Sequence, residues 1–158
     1  MKTEFVLGFI CGLLLAIMPV LSWGQGPPLP SDVKIIPPDP NLPKELAAFS
    51  GRWGGEVPFQ VRSREFERKI IVIIEEIYQK EAKVVYAWGK VKGWTGPGSG
   101  EGWKRSTGSI KSNTIVLEVP EMKSDVQLTI GKDLNSIEYT YYSGGTSSSF
   151  LKATLKRE

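Results

Sequence analysis

From Phe49 to the C-terminus, apolar residues recur at every second position in short runs, and Gly, Asn, Ser or Asp separates one run from the next. Period two belongs to a β-strand with one face on a core, because successive side chains point to opposite sides of the pleat. Ile115, Leu117 and Val119 share a face, as do Val126, Leu128 and Ile130, then Ile137, Tyr139 and Tyr141. In the last run Leu151, Ala153 and Leu155 oppose Lys152, Thr154 and Lys156. Ser112-Asn113, Gly131-Lys132-Asp133 and Ser143-Gly144-Gly145 supply turns. About eight short strands joined by hairpins is the number at which an antiparallel sheet closes on itself, removing the edges that invite aggregation.

The earlier strands are less regular. A first strand covers Phe49 to about Arg62 with a bend at Pro58, and Glu65 to Glu67 read as a charged turn. Arg68 to Tyr78 is next, with Ile70-Ile71-Val72-Ile73-Ile74 apolar on both faces. A helix is the rival for this run, but so many β-branched side chains suit a strand. Apolar residues on an outward face need a cover, supplied either by the segment before Phe49 or by a partner subunit. Ala82 to Lys90 follows a tight turn near Lys80 and Glu81. A Gly-rich excursion then runs from Gly93 to Trp103, and Trp103 to Ile110 resumes a strand.

Ahead of these strands the chain changes character twice. Lys2 precedes an apolar run from Phe5 to Leu21, and Ser22-Trp23-Gly24 puts small residues two apart just before Gln25. That is the pattern of a cleaved secretory signal peptide over 1–24. A retained anchor is the alternative, since the run is close to the roughly 17 residues a span needs. Pro19 and the small residues after it favour cleavage, which leaves no stable membrane span and an exported protein, periplasmic or extracellular. Cys11 lies inside the apolar run, whereas a lipid-modified cysteine should follow it. Over 25–43 prolines dominate, and their density favours extended backbone. This leader reads as a segment packed on the domain with Val33, Ile35 and Ile36 along a barrel wall; a spacer, or a ligand for a partner's aromatic groove, is the alternative. Asn41, Pro43 and Glu45 open one or two helical turns. The barrel domain is placed at 44–158.

The helical turn, the segment Phe49-Ser50-Gly51-Arg52-Trp53 and the meander after it together resemble the lipocalin-like, or calycin, barrels. In those families a Gly-x-Trp opens the first strand, the Trp plugs the closed end, and a basic residue of the last strand packs across it. Gly51 and Trp53 match the motif behind Phe49, and Lys156 or Arg157 stands where the basic partner belongs. The resemblance implies an all-β, eight-stranded antiparallel up-and-down barrel with a small apolar ligand inside. The stretches around Leu42 to Gly54 and Val84 to Gly89 are also similar to small exported bacterial domains of unassigned role. The chain is shorter than most lipocalins, and no cysteine pair ties back its last strand.

Composition removes much chemistry. The chain has no histidine, which excludes Ser-His-Asp and Cys-His nucleophile systems and His-ligated zinc. Cys11 is the only cysteine and leaves with the signal, so no disulfide is expected. A net charge of +3, with Lys and Arg interleaved with Glu, argues for solubility and against nucleic acid. No metal site or cofactor is expected. Glu118, Glu121 and Asp125 cluster near a turn but match no calcium loop.

The candidate binding residues are aromatic. Trp94 and Trp103 flank the Gly-rich loop, Tyr86 and Trp88 lie just upstream, and Tyr139 and Tyr141 line a later strand. Such faces beside a flexible loop stack on a sugar or a planar ligand, or close over an apolar one; the alternative is a hairpin loop whose tryptophans pack onto the barrel and tyrosines that only fill it. No Gly-Lys-Ser/Thr follows the glycines, so the loop is no phosphate cradle. Glu75 and Glu76 are adjacent on a strand and point to opposite faces, so they form no catalytic pair; they read as solvated on at least one side, with one of them turned inward as the alternative. Arg62, Arg64, Arg68 and Lys69, with Glu65 and Glu67 between them, read as a solvated hairpin tip. The expected function is therefore not enzymatic. It is binding of a small apolar or amphipathic ligand in or at the mouth of the barrel. The rival is a cell-envelope structural or interaction module with a filled barrel, meeting a partner or itself through Ile70 to Ile74.

Overall fold

The computed structural model describes residues 26–61, 63–119, 124–143 and 149–158. The signal segment with Cys11, and Arg62, Glu121, Gly144 and Gly145 among the residues singled out above, lie outside the described residues. A one-turn helix, α1 (Lys44–Ala47), precedes eight strands: β1 (Gly51–Val61), β2 (Arg64–Ile77), β3 (Glu81–Trp88), β4 (Gly102–Lys111), β5 (Thr114–Val119), β6 (Ser124–Ile130), β7 (Ser136–Ser143) and β8 (Ser149–Arg157). Each pairs antiparallel with the next and β1 closes on β8, giving a closed up-and-down barrel, consistent with a lipocalin-like fold.

Parity sorts the side chains. Ile70, Val72 and Ile74 of β2 enter the main core with Val84 of β3, Leu117 of β5, Leu128 of β6, Tyr139 of β7 and Leu155 of β8. Ile71 and Ile73 turn the other way and form a second apolar cluster with Val85 and Ala87 of β3. Leu29 and Val33 of the proline-rich leader pack on that cluster. The run from Ile70 to Ile74 is thus apolar throughout because both of its faces are buried, and it is a strand, not a helix.

Polar contacts fasten the leader at its edges. The backbone N–H of Ile36 donates to the Glu75 carbonyl at 2.7 Å. Arg105 of β4 donates through Nε to Glu75 Oε2 at 2.8 Å and through Nη2 to Asp32 Oδ1 at 3.0 Å. Glu75 is only 7% exposed, so of the two glutamates Glu76 is the one that reaches solvent. The β2–β3 register slips between Ile74 and Glu76. The extra residue lets both glutamates face outward and returns Ile77 to the core. Glu76 accepts from Lys83 Nζ at 2.9 Å near the surface.

One other expectation changes. Glu65 to Glu67 are not a turn; they lie in β2, where Phe66 faces Phe59 of β1 and the rings stack 5.7 Å apart. β1 runs on through Pro58 to Val61, close to the expected end at about Arg62. Among the described residues its ladder with β8 covers Trp53 and Gly54 and does not reach Pro58, the setting in which a strand tolerates proline.

The closed end is built around Trp53, which is fully buried. Its Nε1–H donates to the Phe49 carbonyl at 2.8 Å. The Arg157 guanidinium lies over the indole, 4.2 Å from the ring centroid, and donates to the carbonyls of Ser50 at 2.8 Å and Ala48 at 2.6 Å. Of the two basic residues considered, Arg157 is the one that packs there. Gly51 has φ +123°, and a Cβ there would come within 2.8 Å of Arg157 Nη1. Both demands require glycine.

Candidate functional site

Above this plug the barrel interior is open. A cavity of about 840 Å³ extends toward the β3–β4 loop, residues 89–101. Ile70, Leu117, Val126 and Leu151 form much of its apolar wall, and Phe59 and Val57 of β1 continue it. Inward positions on one side of the barrel are therefore too small, or the strands too far apart, for side chains alone to fill the space. β4 contributes Lys104 and Ser106 to the wall and Gly108 deeper in. A Cβ at Gly108 would meet the side chains of Ile115 at 2.5 Å and Leu117 at 2.7 Å, so glycine there lets β5 pack close.

Each expected aromatic residue lines the cavity, in different ways. Tyr86 and Tyr139 reach across the barrel from β3 and β7. Their hydroxyls hydrogen-bond at 2.9 Å, and their rings stand nearly parallel with centroids 6.3 Å apart. Burial pushes the Tyr86 phenol up to about 12 and raises Tyr139 well above the ordinary tyrosine value, so both are neutral at physiological pH. Tyr141 shares a hydrogen bond with Ser124 Oγ at 2.8 Å. Trp88 packs beside Tyr86 at 5.7 Å.

Trp94 belongs to the loop. Its ring meets Phe66 edge-on at 5.5 Å, and its Nε1–H donates to the Pro97 carbonyl at 3.2 Å. A Cβ at Gly96 would strike that indole at 2.2 Å, so Gly96 lets the loop fold under its own tryptophan. Trp103 behaves differently. It lies opposite Ala87 on the outward parity of β4, is 43% exposed, and meets the cavity from the rim.

Three contributors escaped the sequence reading. Phe59 and Phe66 form an aromatic rim, and Arg68 lies in the wall rather than on a solvated tip. Arg68 Nη2 donates to the carbonyls of Gly98 and Gly100, fastening the loop over the cavity. The signal for Arg68 was parity: counting back by twos from Ile74, Val72 and Ile70 places it on the inward face. Burial lowers its pKa from the usual guanidinium value, with the nearby phenols of Tyr86 and Tyr139 acting the other way.

The arrangement can enclose an apolar body against aromatic faces and offer it phenols and basic groups at one level. Among the described residues, no three or more acidic, histidine or cysteine side chains group to hold a metal ion. Glu118 and Asp125 face each other across β5 and β6. Comparison with protein-family models, curated proteins and solved structures found no match to this chain.

Proposed function

We propose that this chain is an exported, non-catalytic binding protein that holds one small apolar or amphipathic ligand in the upper half of its barrel. The observation that carries the reading is the open volume of about 840 Å³, walled by Tyr86, Trp88, Tyr139, Tyr141 and aliphatic side chains. Ligand pockets are typically concave, about 300–1,000 Å³, mostly apolar and marked by a few placed polar groups. An eight-stranded barrel has room for one such molecule at most. Export is inferred from the apolar run Phe5 to Leu21 and the small residues after it. The lipocalin-like resemblance supports the same reading, through Gly51, Trp53 and Arg157 at the closed end.

The rival reading, a structural module with a filled barrel, draws on the lower half, where Trp53, Ile74 and Leu155 leave no exposed surface. It gives no reason for the space above them. Native mass spectrometry of protein purified from its own host separates the two. A small-molecule adduct lost on mild activation supports the carrier. A bare monomer mass, with no uptake of an apolar fluorescent probe, overturns it.

A further inference from the structure

Arg68 is a feature of the cavity that a purely apolar ligand leaves unexplained. It occupies an inward position of β2 between Phe66 and Ile70, where β1 opposite contributes Val57. Its Nε is buried and has no hydrogen-bond partner. Buried donors are nearly always paired, so an orphan in a cavity wall points to a partner that arrives from outside. Its Nη2 is engaged, but by carbonyls of the loop rather than by an acid: those of Gly98 and Gly100.

Resting on the carrier reading above, we propose that the ligand is a single-chain amphiphile with a carboxylate head group. The head binds the Arg68 guanidinium in competition with the Gly98 and Gly100 carbonyls, so that the ligand's own charge unfastens the loop.

The chemistry of the guanidinium supports this. Nε–H and one Nη2–H form its side edge, a planar fork that matches the two oxygens of a carboxylate. Here one tine is unpaired and the other is held by neutral carbonyls, which an anion outcompetes because charge-assisted hydrogen bonds are the stronger. The surroundings agree. Tyr86 and Tyr139 use one phenol proton for the bond between them, leaving a second for the head group. Lys104, in register with Tyr86 on the neighbouring strand, adds basic character to this level of the wall, and Glu118 is the acidic group that lines the cavity. The aliphatic part of the wall, Ile70, Leu117, Val126 and Leu151, is suited to an alkyl chain.

The test uses three ligands with the same tail, dodecanoate, dodecanol and dodecylammonium, below their micelle-forming concentrations. The mature chain and its Arg68→Gln and Arg68→Lys variants are titrated with each, with binding read by tryptophan fluorescence. Dodecanoate should bind the unmodified chain at least tenfold more tightly than dodecanol, and dodecylammonium should bind weakest. Arg68→Gln should abolish the preference while dodecanol binds as before. Arg68→Lys, which keeps the charge but loses the fork, should retain only part of it and serves if the glutamine variant does not fold. Dodecanoate, but not dodecanol, should speed tryptic cleavage after Lys90 or Lys92 in the loop. Equal binding of dodecanoate and dodecanol by the unmodified chain overturns the head-group proposal and leaves the carrier reading standing, as does a preference that survives in both variants. Failure of every tail to bind overturns the carrier reading itself.

Discussion

Replacing Trp53 should reveal how much of the barrel depends on its plug. The indole is fully buried, donates one hydrogen bond to the Phe49 carbonyl and lies under the Arg157 guanidinium. Trp53→Phe keeps most of the ring but removes the donor, a net loss of about 1 kcal/mol. The smaller ring also forfeits apolar burial worth roughly another 1 kcal/mol. Trp53→Ala removes the whole plug, and large-to-alanine changes in a core cost about 3–5 kcal/mol. Against a total stability of roughly 5–15 kcal/mol, the alanine variant should lose at least about a fifth of it. For a domain of this size each kcal/mol lowers Tm by about 4 °C, so the phenylalanine variant should melt about 8 °C lower. Urea unfolding followed by far-UV circular dichroism gives both differences. Arg157→Met, made alone and with Trp53→Phe, completes a cycle whose coupling should be about 0.5–1 kcal/mol. A Trp53→Ala variant that loses less than about 1 kcal/mol, far below the core range, would refute the reasoning.

Three further outcomes follow from the same contacts. Leu29→Asp with Val33→Asp should strip the leader from the wall of Ile71, Ile73, Val85 and Ala87; each lost apolar contact is worth about 1–2 kcal/mol, and the exposed patch should bind an apolar dye that the parent ignores. The Arg105 side chain, by hydrogen bonding, holds the Asp32 carboxyl below its ordinary value of 3.8. Because the folded pKa is the depressed one, this contribution is present above the unfolded pKa and fades as pH falls through the folded one. Asp32→Asn should therefore reduce stability at neutral pH, and its difference from the parent should shrink in strong acid. In alkali, absorbance titration should show Tyr86 ionising near 12, above the ordinary tyrosine value of 10.0. Its raised pKa means that this part of the stability is intact below the ordinary tyrosine value and lost as pH climbs toward 12.

The barrel was legible because alternation and turn chemistry agree along most of the chain. β5 begins and ends where the Thr114 to Val119 pattern does, and Gly51, Trp53 and Arg157 announce the closed end. The doubly apolar stretch of β2 also announced its cover, since Ile71 and Ile73 needed something on the outside and Leu29 and Val33 supply it. Charge misled the reading near the mouth. Arg68 sits among Glu65, Glu67 and Lys69, whose mixed signs suggest solvent, yet strand parity outranks local polarity and carries it inward. Trp103 is the converse, an aromatic residue that parity turns outward. β4 hid its role because Lys104, Ser106 and Gly108, the inward residues that precede Ile110, include no large apolar side chain. The position of Glu75 depends on a bulge, which shifts parity by one residue and leaves no mark in composition.

The central claim concerns where a guest molecule sits, and intermolecular nuclear Overhauser contacts measure that directly. With carbon-13-labelled dodecanoate bound to the unlabelled chain, the account predicts that the methylene protons contact the side chains of Tyr86, Tyr139 and Leu151 inside the barrel. Contacts confined to the exposed outer residues Ile35, Ile36 and Tyr78, with none inside, would contradict it.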